Sequence, residues 1–188
     1  MDEKVRVLED VARNLFANVV WTHKIQEKQA EIYEHRFKWL SVINIIFAAL
    51  TSAGIVSTIF VDPTWLKVAS AIVAFVTTAL SAFMALYDYK SMAKANKSTA
   101  TKLVCARDDL LTCLAKIKIG ENPTQVMTED FEKIQNRIHE IYSDAPNTSD
   151  KAVSKATTSI KKNKDGTYSD EEIDALLPDS LKRRQTDE

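Results

Sequence analysis

Two apolar runs constrain this chain more than any other feature. The first, Trp39 to Val61, contains no ionisable residue, and the second, Trp65 to Tyr87, has only Lys67 near its start. Each is about 23 residues long, against the roughly 20 that a helix needs to cross a ~30 Å hydrocarbon layer. Only Asp62, Pro63 and Thr64 separate them. Pro63 cannot continue the hydrogen-bond ladder of the first helix, and Asp62 and Thr64 suit a turn and an N-cap. So short a link makes the two helices antiparallel neighbours. Trp39, Trp65, Tyr87 and Tyr89 stand at the ends, where amphipathic rings favour the headgroup layer and act as interface anchors. A soluble helix keeps a polar face, and neither run has one. The polar residues inside them, among them Asn44, Thr51, Thr77 and Ser81, are mostly small hydroxyls able to bond back to their own helix.

The flanks predict the rest of an all-α fold, because three glycines and four prolines in 188 residues leave room for long helices. Residues 1–38 form an N-terminal amphipathic helix, with Val5, Leu8, Ala12, Leu15 and Val19 on one face. No Gly or Pro interrupts it before Trp39, so it is able to run straight into the first span. Residues 88–145 predict two more helices. The first continues from Tyr87 through Asp88 to Ile119, carries a stripe of Leu103, Leu110, Leu114 and Ile117, and stops at Gly120, Asn122 and Pro123. The second starts near Thr128, presents Phe131, Ile134, Ile138 and Ile141, and ends at Ala145-Pro146-Asn147. These stripes need one another, and a helical bundle beside the membrane hairpin satisfies them. From 146 to 188 the composition turns to Ser, Thr, Lys, Asp and Asn, which predicts a flexible tail, a linker over 148–167 and a short helix near 169–177 capped by Ser169.

The first run begins after some 38 polar residues and is longer than a signal-peptide core, so it reads as an anchor. Lys24, Lys28, Arg36 and Lys38 precede the first span, and Lys90, Lys94, Lys97, Lys102 and Arg107 follow the second. Positive charge gathers on the cytoplasmic side of spans, which predicts that both termini are cytoplasmic.

Chemistry-bearing patterns are sparse. Cys105 and Cys113 lie about 12 Å apart along a helix, too far for a disulfide, and read as reduced packing residues. His23, His35 and His139 have no second histidine or cysteine at helical spacing. A calcium-loop frame around Gly166 places Asn163, Asp165, Ser169 and Glu172 at ligand positions but puts Lys161 where an acidic ligand is required. No phosphate-binding glycine loop or nucleophile motif occurs, so neither an enzyme, a metal site nor a cofactor is expected. The spans do carry small residues at four-residue spacing: Ala49, Ala53 and Ser57, then Ser70, Ala74, Thr78 and Ala82. Such stripes permit close helix approach in lipid, either within the hairpin or at a seam or pore between chains. With no acid or base buried in the spans, a proton relay or voltage sensor is excluded as an expectation.

Taken in order, a polar N-terminal helix with Trp21-Thr22-His23-Lys24 and Tyr33-Glu34-His35-Arg36, two spans with almost no loop, and a long polar helix resemble the SLATT family over roughly residues 5–145. Trp21, Tyr33 and Arg36 are the residues that carry the resemblance. It implies a two-span effector of bacterial conflict and antiphage systems in the inner membrane. Such an effector oligomerises, forms a pore when a cytoplasmic sensor protein or nucleotide signal triggers it, and so stops growth of the infected cell. It implies no nucleic-acid partner; the bilayer and other copies of the chain are its partners. The alternative is a membrane-anchored scaffold whose helices and tail, with Ile173, Leu176 and Leu177, dock partner proteins.

Overall fold

The apolar stripe of the first helix gives way to polar residues such as Gln26 and Gln29 before Trp39, but no Gly or Pro stands there to stop the helix. In the computed structural model, which describes residues 3–60, 64–120 and 123–178, α1 is one helix from Glu3 to Phe60, 58 residues and about 87 Å at 1.5 Å per residue. Helix α2 (Thr64–Leu86) returns antiparallel to its far end, followed by α3 (Tyr89–Ile119), α4 (Thr124–Ser143), α5 (Asp150–Lys161) and α6 (Asp170–Leu176). Every element among the described residues is helical, as expected. Asp62, Pro63, Asn122 and the basic ending Lys182-Arg183-Arg184 lie outside the described residues.

The expected continuation of the second span into α3 is interrupted. The helix breaks at Tyr87–Asp88, and Asp88 caps α3 by accepting a hydrogen bond from the Ser91 amide at 3.0 Å. The Ser91 hydroxyl, followed by the Ser91 and Lys90 backbone N–H groups, holds the Asp88 carboxyl below its usual range. An N-cap needs an Asp and no glycine or proline, so the break leaves only a faint mark in the sequence. The stop at Gly120 is the expected one. Gly120 adopts φ 71°, a left-handed conformation costly for residues with a Cβ, and its N–H bonds Lys116 O. Helix α4 begins at Thr124 rather than near Thr128, because Pro123 precedes the first turn with its fixed φ already suited to it.

Away from the spans, α1, α3 and α4 form the expected bundle. Ala12, Val19, Leu103, Leu110, Ile117, Phe131 and Ile138 close its core. Cys113 is buried there, and burial pushes its thiol pKa up; Cys105 is exposed.

Helix α5 corrects the linker expectation. It packs on α1 through Ala152, Ala156 and Ser159, all buried. Its buried face is built from small residues rather than large apolar ones, so a composition-based reading passes over it. The local signals were present: Ser149 caps the helix and Asp150 sits in its first turn. Helix α6 has the capping box that Ser169 and Glu172 allow, with Ser169 N donating to Glu172 at 2.8 Å.

Candidate functional site

The apolar hairpin, the polar neck beneath it and the clasp on α1 form a continuous assembly. The hairpin exposes what a folded core would hide. Ile45 is 67 % exposed, Phe75 74 % and Leu86 77 %, and α2 has no buried residue. Both helices are long and apolar enough to cross a membrane. An apolar surface of this extent is stable only against lipid or other apolar helices.

The seam between the two hairpin helices is polar. Ser81 Oγ donates to Asn44 Oδ1 at 3.1 Å, and the Thr51 and Thr77 hydroxyls meet at 3.3 Å. Thr51 and Thr77 also bond back to Phe47 O and Val73 O, the behaviour expected of span hydroxyls. Gly54 sits directly against Ser70: a Cβ there would fall 2.4 Å from Ser70 Oγ. The structure therefore divides the small-residue stripes. Ser70 and Ala74 are half-buried towards the seam, whereas Ala49, Ala53, Ser57, Thr78 and Ala82 are exposed on the hairpin's outer surface. The cross-helix pair Asn44–Ser81 is the feature that a search for four-residue spacing misses. An amide within an apolar run, with a hydroxyl on the opposing run, is the signal that finds it.

At the base of the hairpin the aromatic residues form a collar. Tyr87 stacks on Tyr89 with ring centroids 6.1 Å apart, and Tyr33 lies 6.0 Å from Tyr89. The Arg36 guanidinium sits over the Tyr89 ring at 5.9 Å. Two of the three residues that carry the family resemblance thus meet the break between α2 and α3. His35 packs edge-on to Trp39 at 6.1 Å, while Trp65, at the opposite end, is 70 % exposed.

Below the collar the α1–α3 interface changes character. Here the buried residues are Gln26, Gln29, Asn96 and Thr99, spaced by Ala30, Ala93 and Ala100. Asn96 Nδ2 donates to Met92 O at 2.8 Å, but Asn96 Oδ1 and Gln26 Oε1 find no partner among the described residues. Each buried acceptor left unpaired costs about 1–3 kcal/mol. This neck is less cohesive than the Leu/Ile core farther down. A groove alongside it, about 340 Å³, is lined by His23, Glu27, Glu31 and Glu34 of α1 and Lys97 of α3. Burial lowers the His23 pKa, favouring the neutral ring.

The segment from Pro146 to Asp165 clasps the same stretch of α1. Gln26 Nε2 donates to Pro146 O at 3.0 Å, and Gln29 Oε1 accepts from both the Ser149 amide (2.9 Å) and its hydroxyl (2.7 Å). Lys24 pairs with Asp165 at 3.2 Å and with Glu27 at 2.9 Å, and Ser159 Oγ also donates to Asp165. Burial by itself would lower the Lys24 pKa; the two carboxylates outweigh it and raise the value. The bonds from Ser159 and Lys24 hold the Asp165 carboxyl below its usual range. Lys161 lies over the Trp21 ring at 5.9 Å. Asp165 and Lys161 are thus committed to the clasp, and among the described residues no group of His, Cys, Asp or Glu is arranged to hold a metal ion.

Residues 8–172 match the SMODS and SLOG-associating 2TM effector domain family 4, SLATT_4. The chain belongs to this family. The match extends past residue 145 to include all of α5 and the start of α6, so the clasp lies within the SLATT domain and not in a tail beyond it. No curated protein and no solved structure matches the chain. Family membership and the exposed apolar hairpin together make this SLATT protein a membrane effector of conflict systems with two candidate spans.

Proposed function

We propose that this effector acts by permeabilising the inner membrane: several copies associate, and a signal at the bundle rearranges their spans around a path for ions or small solutes. The observation that carries the reading is the continuity of α1. One unbroken helix joins the bundle core at Ala12 to the first span, while the return path through α2 and α3 is broken at Asp88. A displacement of the bundle therefore reaches the spans through α1 as a rigid lever, with the Tyr87–Asp88 break as its hinge. Two helices from one chain enclose nothing, so the path requires several copies. The outward small residues Ala53 and Thr78 supply surfaces for close approach between copies. The lysines flanking both spans support a cytoplasmic bundle with both termini on that side, where a partner sensor or a nucleotide signal would reach them.

The test is membrane potential, read by dye fluorescence in bacteria that express the chain together with its trigger. Depolarisation that precedes growth arrest, and is lost in Thr78→Leu or Ala53→Leu at equal protein level, supports the proposal. These two positions are preferable to Ala74, which faces the hairpin seam and would disturb the single chain. A potential that stays normal with the trigger present refutes pore formation and favours a membrane-anchored scaffold. Exposed Leu176, 81 % accessible on α6, is then the first docking residue to test.

A further inference from the structure

Between α1 and α3, at the level where the spans begin, lies a cleft of about 310 Å³. Phe37 and Lys38 of α1 and Lys90, Lys94 and Lys97 of α3 line it, with Glu34 as the one carboxylate. Three lysines elsewhere in the bundle hold carboxylates: Lys24 with Glu27 and Asp165, Lys28 with Glu31, Lys133 with Asp130. Among the described residues none of the four cleft lysines makes an ion pair. Three of them fall on one stripe of α3 at i, i+4 and i+7, where like charges repel along the helix. Setting the orientation of the spans requires positive charge on this side of the membrane, but not its convergence on one cleft. Convergence is favourable when an anion occupies the cleft.

We infer that this cleft binds the phosphate of an anionic phospholipid headgroup. The inference rests on the membrane reading of the hairpin. Lys38 immediately precedes Trp39, and Lys90 follows the Tyr87–Tyr89 stack, so the cations stand at headgroup depth. Half-buried Phe37 gives the cleft an apolar wall for the glycerol and first methylenes of the lipid. A zwitterionic headgroup brings its own cation into the lysine cluster and is disfavoured. A lipid seated here bridges α1 and α3 directly above the polar neck, which ties neck packing to lipid composition.

The experiment is native mass spectrometry of the full chain released from detergent after incubation with phosphatidylglycerol or phosphatidylcholine. Wild type is expected to retain phosphatidylglycerol over phosphatidylcholine by about tenfold or more, and Lys38→Gln/Lys94→Gln to lose that preference. Lys38→Arg/Lys94→Arg, which keeps charge, and Lys102→Gln/Lys118→Gln, which removes it elsewhere on α3, should both retain it. Equal retention of the two lipids by wild type, or unchanged preference in Lys38→Gln/Lys94→Gln, overturns the inference. Displacement of phosphatidylglycerol by equimolar glycerol phosphate overturns it too, by making the cleft a site for a soluble phosphate compound. Binding is read without a pore, so failure here is distinguishable from failure of depolarisation in cells.

Discussion

Replacing Asn96 by Leu should stabilise the neck. Asn96 is 1 % exposed, and its Oδ1 is unpaired among the described residues. Leucine has the same number of side-chain heavy atoms and the same branch point, so it fills the site without enlarging it. Removing the unpaired acceptor relieves about 1–3 kcal/mol, and losing the Nδ2 bond to Met92 O sacrifices about 0.5–1.5 kcal/mol. The added apolar burial contributes about 1 kcal/mol more. The net gain is about 2 kcal/mol, or roughly thirtyfold in the equilibrium for opening the bundle. Cys113 provides the assay. It is 5 % exposed in the core beside Leu110 and Ile117, where it borders a groove between α3 and α4, so a bulky thiol reagent reacts with it slowly until the bundle opens. In a Cys105→Ser background, Asn96→Leu should slow Cys113 modification about thirtyfold and raise the melting temperature. Faster modification, or a lower melting temperature, would refute the reasoning by showing that Oδ1 makes a bond worth more than its desolvation.

Other positions give equally direct outcomes. In the hairpin, Gly54→Ala should be nearly tolerated, because Ser70 Oγ, 2.4 Å from the new Cβ, is free to rotate; Gly54→Val should cost about 1–3 kcal/mol by overpacking and be partly rescued by Ser70→Gly, as read by thermal melts in detergent. Gln29→Leu removes the acceptor of two Ser149 bonds and should weaken α5 docking by about 2 kcal/mol, seen as faster amide exchange over 150–161 with little change in the Leu103–Ile117 core. His23 has a folded-state pKa below its unfolded value, so its contribution is complete above about pH 6.5 and falls as pH drops through the folded pKa. Bundle stability should decline from pH 7 to pH 5, and His23→Gln should flatten that decline in pH-dependent melts. Asp165 is likewise depressed, so its pairing with Lys24 should persist to acid pH and be lost only below about pH 4, reported by quenching changes at Trp21.

Much of this architecture is legible in the residues because lipid demands so uniform a signal. The runs from Trp39 and Trp65 admit few folds, and the absence of Gly and Pro before Trp39 leaves nothing to interrupt α1. The Leu103–Ile117 and Phe131–Ile141 stripes find each other by ordinary helical periodicity. What escaped was written in weaker signals. The break at Asp88 depends on a single capping carboxylate. Helix α5 docks through Ala152, Ala156 and Ser159 against Gln29 and Lys24, a contact made of small residues and hydrogen bonds that hydropathy does not register. The hairpin seam runs through Asn44, Thr51 and Gly54 rather than through every small-residue stripe, because cross-helix polar pairs fixed the rotation of the helices.

The clasp also imposes an order on biosynthesis. Pro146 and Ser149 meet partners that lie 120 residues earlier in the chain. At roughly 5–20 residues per second, a ribosome needs about 6–24 s between making Gln29 and making Ser149. Both apolar runs, α3 and α4 are translated within that interval. The hairpin is therefore available to the insertion machinery before its fastening exists, and a transcript cut short ahead of Ser149 yields spans with an unfastened neck.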